Sequence, residues 1–129
     1  MIKFGTLGAA RITPAALIDP CNNNDNALIS VVAARDRSRA EAFAREHDIA
    51  NVVDCYEDVI NHPDIDAVYN PLHIGLHHEW SIKALRAGKH VLCEKSIACN
   101  AKEAEEMSVV AKETGRVLMD AFHYRYHPC

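Results

Sequence analysis

Lys95 ends the run His90-Val91-Leu92-Cys93-Glu94-Lys95, which puts a primary amine directly past an apolar, strand-forming segment. An amine there can give or relay a proton to a substrate held against it. Its plainer reading is a solvated lysine at a strand end. A second segment with chemical potential is Gly8-Ala9-Ala10-Arg11-Ile12-Thr13, which follows the apolar run Ile2–Leu7. Small residues between a strand and a helix let backbone N–H groups come close to a phosphate. Open parallel sheets take ligands in the crevice outside the carboxyl ends of their strands. A strand-end lysine and a strand-end glycine turn can therefore face one ligand. The expectation is a dinucleotide-binding domain whose lysine meets the reacting carbon.

The turn keeps the spirit of G-x-G-x-x-G and departs from its letter. Ala10 stands for the second glycine and Thr13 for the third. Alanine adds one methyl at the point of closest approach and narrows the clearance. Many strand–helix turns use small residues, so the turn gains its weight from its place inside a β-α-β pattern. Gly8, Ala10, Arg11 and Ile12 are the candidate cofactor contacts here. At the end of the second strand, an acidic residue would bind a ribose 2′-OH, and arginine would accommodate a 2′-phosphate. The chain reads Ala33-Ala34-Arg35-Asp36-Arg37-Ser38. Arg35 and Arg37 favour NADP, with NAD as the alternative. Asp36 is read as a helix cap in preference to a ribose contact, and Ser38 could cap as well.

These groups need elements to hold them. Apolar runs predict strands at Ile2–Leu7, Ala27–Ala34, Val52–Val53, Ala67–Leu72, His90–Cys93 and Val117–Phe122. Helical spacing predicts helices at Pro14–Ile18, Ser38–His47, Tyr56–Asn61, His77–Ala87 and Asn100–Thr114, with a loop over Cys21–Asn26. Asn100 is the expected N-cap of the last helix, with Glu103 three residues on and Gly115 as its terminator. Leu72, at the end of the fourth strand, joins the candidate cofactor contacts. Strands alternating with helices over short loops imply an α/β fold, a doubly wound parallel sheet with helices on both faces.

Other groups carry less. The five cysteines are an odd number without a C-x-x-C pair, which suits reduced thiols better than a disulfide framework. Cys93 is read as core packing. Among the eight histidines, His73, His77 and His78 share one region, and His123 and His127 another. A zinc site wants three or four ligands at recognisable spacing, and adjacent His77 and His78 would diverge on a helix. No metal is expected. Glu103, Glu105 and Glu106 read as a solvated face, and Trp80 as packing between its helix and the sheet.

The 129 residues suffice for one domain. They are too few for complete cofactor and substrate domains together. A net charge of −4 argues against nucleic acid as the main partner. No apolar stretch reaches the ~20 residues that span a bilayer. The N-terminus runs straight into a strand without a signal-peptide pattern, so the expected location is the cytoplasm.

Gly5-Thr6-Leu7-Gly8-Ala9-Ala10-Arg11-Ile12, Ala34-Arg35-Asp36, Gly88-Lys89-His90-Val91-Leu92-Cys93-Glu94-Lys95 and Phe122-His123-Tyr124-Arg125-Tyr126-His127-Pro128 follow one another in this chain. Together they resemble the glucose–fructose oxidoreductase, inositol dehydrogenase and MocA family, with dihydrodiol dehydrogenase among its similar members. The resemblance spans essentially the whole chain. It implies a Rossmann domain and NAD(P)-dependent oxidation or reduction of a sugar, cyclitol or related alcohol/carbonyl pair. Glu94 and Lys95 match the first two residues of the family's Glu-Lys-Pro motif, whose lysine assists proton transfer and orients the substrate. His77 matches the histidine closing the Pro-Asn-x-x-His segment. Arg125 matches the arginine of an aromatic-Arg-aromatic run near cofactor and substrate.

Three departures accompany the match. Ser96 replaces the motif's proline, which removes a φ constraint. His73 and Ile74 stand where Pro-Asn would be. The family's second, α+β domain, which supplies the lysine's partners and the main dimer surface, is expected to be missing, with residues 122–129 as the start of its junction. The implied function is cofactor binding without turnover by this chain alone, with possible self-association. The rival reading is a non-catalytic nucleotide-binding or regulatory module of the same fold.

Overall fold

The structure, a computed structural model, describes residues 1–122. Six strands form one sheet: β1 (Ile2–Leu7), β2 (Ala27–Ala33), β3 (Asn51–Val52), β4 (Ala67–Asn70), β5 (His90–Cys93) and β6 (Leu118–Asp120). All neighbours pair in parallel, in the order β3-β2-β1-β4-β5-β6. This is the doubly wound arrangement expected from the alternation of strands and helices. The order reverses between β1 and β4, which opens a crevice at their carboxyl ends.

The run of β2, apolar except for Ser30, explains the layers. Successive strand side chains point to opposite faces. Val31 and Ala33 join a core with Val59, Trp80, Leu85, Met107 and Val110. Val32 and Ala34 join a second core with Leu17, Ile18, Ala40 and Phe43. The first core lies under α3 (Tyr56–Ile60), α4 (His77–Arg86) and α5 (Ala101–Thr114). The second lies under α2 (Arg37–His47) and the π-helical turn Pro14–Ile18, which runs into α1 (Asp19–Asn22). Trp80 is buried against the sheet, as its sequence position suggested.

Local chemistry sets the element ends. Asp36 caps α2, its Oδ1 accepting from the Ser38 N–H at 2.9 Å and the Ser38 hydroxyl at 2.7 Å. Asn100 caps α5 by accepting from the Glu103 N–H at 2.9 Å. The Glu103 carboxylate reaches back one residue further, accepting from the Cys99 N–H at 3.0 Å. Gly115, at φ 67°, ends the helix.

Several expected boundaries move, most by a single residue, and the last strand narrows from Val117–Phe122 to Leu118–Asp120; two of the shifts have a visible side-chain cause. The first helix continues to Asn22, and the Asn23 side chain donates to the Asp19 carbonyl at 2.9 Å, so asparagines read as loop instead close a helix. The fourth strand stops at Asn70, because its Oδ1 accepts from the Leu72 N–H at 3.3 Å and turns the chain out of the sheet.

Candidate functional site

The glycine turn leaves β1 at the mouth of the crevice. Gly8 holds φ 85°, a conformation that side chains rarely adopt. Its N–H donates to the Ala33 carbonyl at 2.6 Å, which ties the turn to β2. A Cβ on Gly8 would lie 3.4 Å from Leu72 Cδ2 and 3.7 Å from the Tyr56 hydroxyl. The bare backbone thus forms a cradle between the loop after β4 and the start of α3. Ala10 is half-buried, while Arg11 and Ile12 are exposed beside it. Thr13, in the third glycine's place, is fully buried, and its hydroxyl has no hydrogen-bond partner among the described residues.

Next to the turn, the end of β2 presents Arg35 to solvent. Arg37, expected beside it, has other commitments. Its guanidinium donates to Asp54 and, at 3.0 Å, to Glu41 one helical turn on. These carboxylates, Asp54 first, hold Arg37 above its ordinary pKa. Burial pushes the Tyr56 phenol up, while the charges of Arg35 and Arg39 pull it the other way. Arg35, Arg39 and Tyr56 therefore share one neighbourhood beside the glycine turn. The sequence reading missed Arg39 and Tyr56. The available signal was the i,i+4 spacing of Arg37 and Glu41, which marks Arg37 as the paired arginine.

At the β4–β5 end the site is built from buried polar groups. Asn70 is fully buried, and its amide donates to the Ser81 hydroxyl at 3.1 Å and the His77 carbonyl at 3.4 Å. His77 is 1% exposed, with Nε2 2.6 Å from the Leu72 carbonyl and Nδ1 2.8 Å from the Ser96 carbonyl. A neutral imidazole donates to one such oxygen and an imidazolium to both. His77 therefore lies beneath the two loops as a bridge between them.

Glu94 follows β5 and is 8% exposed. Its Oε1 accepts from the Tyr69 hydroxyl at 2.7 Å, and its Oε2 from the Lys95 N–H at 3.2 Å. Burial, and then the bond to Glu94, push the Tyr69 phenol up. Lys95 is exposed at the crevice, joined to Ser96 by a cis peptide. Cys93 is fully buried, and burial pushes its thiol up to about 12, so it holds no reactive thiolate at neutral pH.

The fold brings Gly8, Leu72, His77, Glu94 and Lys95 to the carboxyl edge of the central strands. Arg35 lies beyond the glycine turn and Arg37 further out on α2. Arg125 lies outside the described residues, as do His123 and His127. No three His, Cys, Asp or Glu side chains among the described residues are grouped to hold a metal ion. His78 instead meets Glu106 at 2.7 Å, so Glu106 is part of a contact between α4 and α5. No described helix is long and apolar enough to cross a membrane.

Residues 2–122 match the model of an oxidoreductase family with an NAD-binding Rossmann fold. The chain is 38% identical over 127 residues to D-xylose 1-dehydrogenase (NADP(+)) 2 of Haloferax volcanii, covering 98% of this chain and 39% of that protein. It is 40% identical over 100 residues to trans-1,2-dihydrobenzene-1,2-diol dehydrogenase of Sus scrofa, covering 78% of this chain and 30% of that protein. The fold is also that of KijD10, a 3-ketoreductase from Actinomadura kijaniata solved with NADP and TDP-benzene. The TM-score is 0.93 at 35% identity, over 98% of this chain and 39% of that one. The chain thus spans about two-fifths or less of the length of these relatives. By sequence match and by fold, the chain belongs to the glucose–fructose oxidoreductase, inositol dehydrogenase and MocA family of oxidoreductases.

Proposed function

We propose that the chain is the cofactor-binding half of an oxidoreductase that moves a hydride between NADP(H) and a sugar, cyclitol or related alcohol/carbonyl pair. The observation that carries this reading is the bare Gly8 cradle opening on the same strand ends as Lys95. The reading is supported by the bare backbone at Gly8, where a side chain would come against Leu72 and the Tyr56 hydroxyl. When bound, the nicotinamide supplies or takes the hydride. Ala10, Arg11 and Ile12 would hold the pyrophosphate through backbone N–H groups at the start of the first helix, while Gly8, its own N–H bonded to Ala33, would let the phosphates come close. Leu72 and Glu94 would line the nicotinamide end, with His77 contributing through the loops it joins, and Arg125, outside the described residues, is assigned a cofactor role by the family resemblance alone. Lys95 would orient the substrate oxygen and give or take its proton at Nζ.

NADP is favoured over NAD by Arg35, which Arg39 supports in the place first given to Arg37. Two relatives point the same way, the dehydrogenase named for NADP(+) and the ketoreductase solved with NADP. A charge-assisted arginine–phosphate contact makes roughly a tenfold difference or more in affinity. Calorimetric titration should show NADP binding more tightly, with the margin falling about tenfold in Arg35→Ala. Equal affinities, or an NAD preference indifferent to Arg35→Ala, would reject the assignment.

Turnover requires a substrate held in near-contact with the nicotinamide. Alone, this chain should bind cofactor and give no steady-state NADPH oxidation across a panel of sugars and dicarbonyls. In a two-domain version, Lys95→Met should lower turnover by about 10²–10⁴-fold with little change in melting temperature or cofactor affinity. The exposed Ile2, Val117, Met119 and Phe122 favour self-association, which light scattering at rising concentration would detect.

A further inference from the structure

We infer that Tyr69 and His77 are positioning residues for Lys95, gripping its two chain neighbours from opposite sides of the sheet. An exposed lysine has a long, mobile side chain, so its aim depends on how firmly its own backbone is held. On the N-terminal side the grip is Tyr69, fully buried in the core under the first helix and α2. Its hydroxyl donates to Glu94 Oε1 at 2.7 Å, and Glu94 Oε2 accepts from the Lys95 N–H at 3.2 Å. Tyr69 therefore orients the carboxylate that fixes the lysine's own amide.

On the C-terminal side the grip is His77, at the start of α4. Its Nδ1 lies 2.8 Å from the Ser96 carbonyl, directly after Lys95. Its Nε2 lies 2.6 Å from the Leu72 carbonyl, and Leu72 is the side chain that faces the Gly8 cradle. One imidazole thus fastens the lysine loop to the loop bordering the glycine turn. The Asn70 amide holds the His77 carbonyl in turn at 3.4 Å. Tyr69 and His77 are 0% and 1% exposed, so they act through Lys95 without touching a ligand in the crevice. A displacement of about 1 Å at a reacting group can cost on the order of 10²-fold in rate, so anchors of this kind matter to chemistry.

The inference rests on Lys95 being the proton-transfer group, but its test does not need turnover. Amide hydrogen exchange and the Lys95 ε-carbon resonance are read by NMR on the full chain with NADPH added. Tyr69→Phe deletes one hydroxyl and keeps the ring. His77→Asn keeps a donor at the Nδ1 position toward Ser96, whereas His77→Gln keeps one at the Nε2 position toward Leu72. Tyr69→Phe and His77→Gln should speed Lys95 amide exchange at least tenfold and shift its ε-carbon resonance. His77→Asn should restore both toward the parent values, and Val68 and Val91 in the strands should change less than twofold. Unchanged Lys95 signals in Tyr69→Phe and His77→Gln overturn the inference, as does uniform acceleration through β4 and β5. If the His77 variants do not fold, Tyr69→Phe decides alone. Failure of the underlying lysine reading would appear elsewhere, as full turnover in Lys95→Met.

Discussion

At the β1–β2 end of the crevice, the site consists of a bare glycine backbone, the exposed Arg35 and the phenol of Tyr56. At the β4–β5 end it consists of Asn70, His77, Tyr69 and Glu94, all buried and all hydrogen-bonded. At the first end the Arg35 guanidinium is exposed and no side chain covers Gly8, whose N–H is bonded to Ala33. The second spends nearly all of its polar groups on itself and leaves one amine facing out. Binding an anion needs available charge, whereas aiming a proton donor needs a rigid frame. The two ends should therefore fail differently under substitution. Loss at the buried end should show as instability, because an unpaired buried polar group costs more than a typical bond contributes.

The largest effect on stability should come from Asn70→Ala. It removes three contacts and leaves the Leu72 N–H and Ser81 hydroxyl to find new partners. We expect about 2–3 kcal/mol of destabilisation in a urea titration. A loss below about 0.5 kcal/mol would mean that the buried end is not the rigid half.

Gly8→Ala should act at the other end with a smaller penalty. Forcing a side chain to φ 85° should cost about 1–2 kcal/mol. It should also weaken NADP binding, because the methyl would enter the cradle. Affinity falling while stability stays at the parent value would separate cradle from backbone strain. Weakened stability with intact affinity would argue that the cradle faces away from the ligand.

The smallest effect should be Arg37→Ala. Its partners Glu41 and Asp54 are exposed, and pairs of that kind are screened by solvent. The NADP to NAD affinity ratio should stay within about twofold of the parent, in contrast to Arg35→Ala. A tenfold fall would return Arg37 to the cofactor site.

How much of this could be read from the sequence divides along the same line. The strands, the Asp36 cap, the Asn100 cap and the core placement of Cys93 all follow from local pattern. Gly8 and Lys95 were visible too, because residue type and place at a strand end were enough. The Tyr69–Glu94 bond joins residues 25 apart, and the His77–Ser96 bond residues 19 apart. Such contacts depend on strand register, which periodicity does not report. Tyr69 looked like one more apolar strand residue, and His77 like a ligand contact carried over from a motif. Arg39 was hidden differently. It resembles Arg37 in type and helix, and the i,i+4 spacing of Arg37 and Glu41 is the local sign of which guanidinium is occupied.

Tyr56 touches more than the glycine turn. Its ring meets Trp80 edge-on, with centroids 5.1 Å apart and planes at 86°. The Lys83 ammonium sits 4.2 Å from the centre of the indole ring, over its face. The sequence has one tryptophan, so all indole emission from the chain originates at this junction. A change in the charge or polarity around the Tyr56 hydroxyl should therefore register in Trp80 emission across this ring contact. Trp80 works as an intrinsic fluorophore for the arginine end of the crevice. The lysine end has no indole of its own.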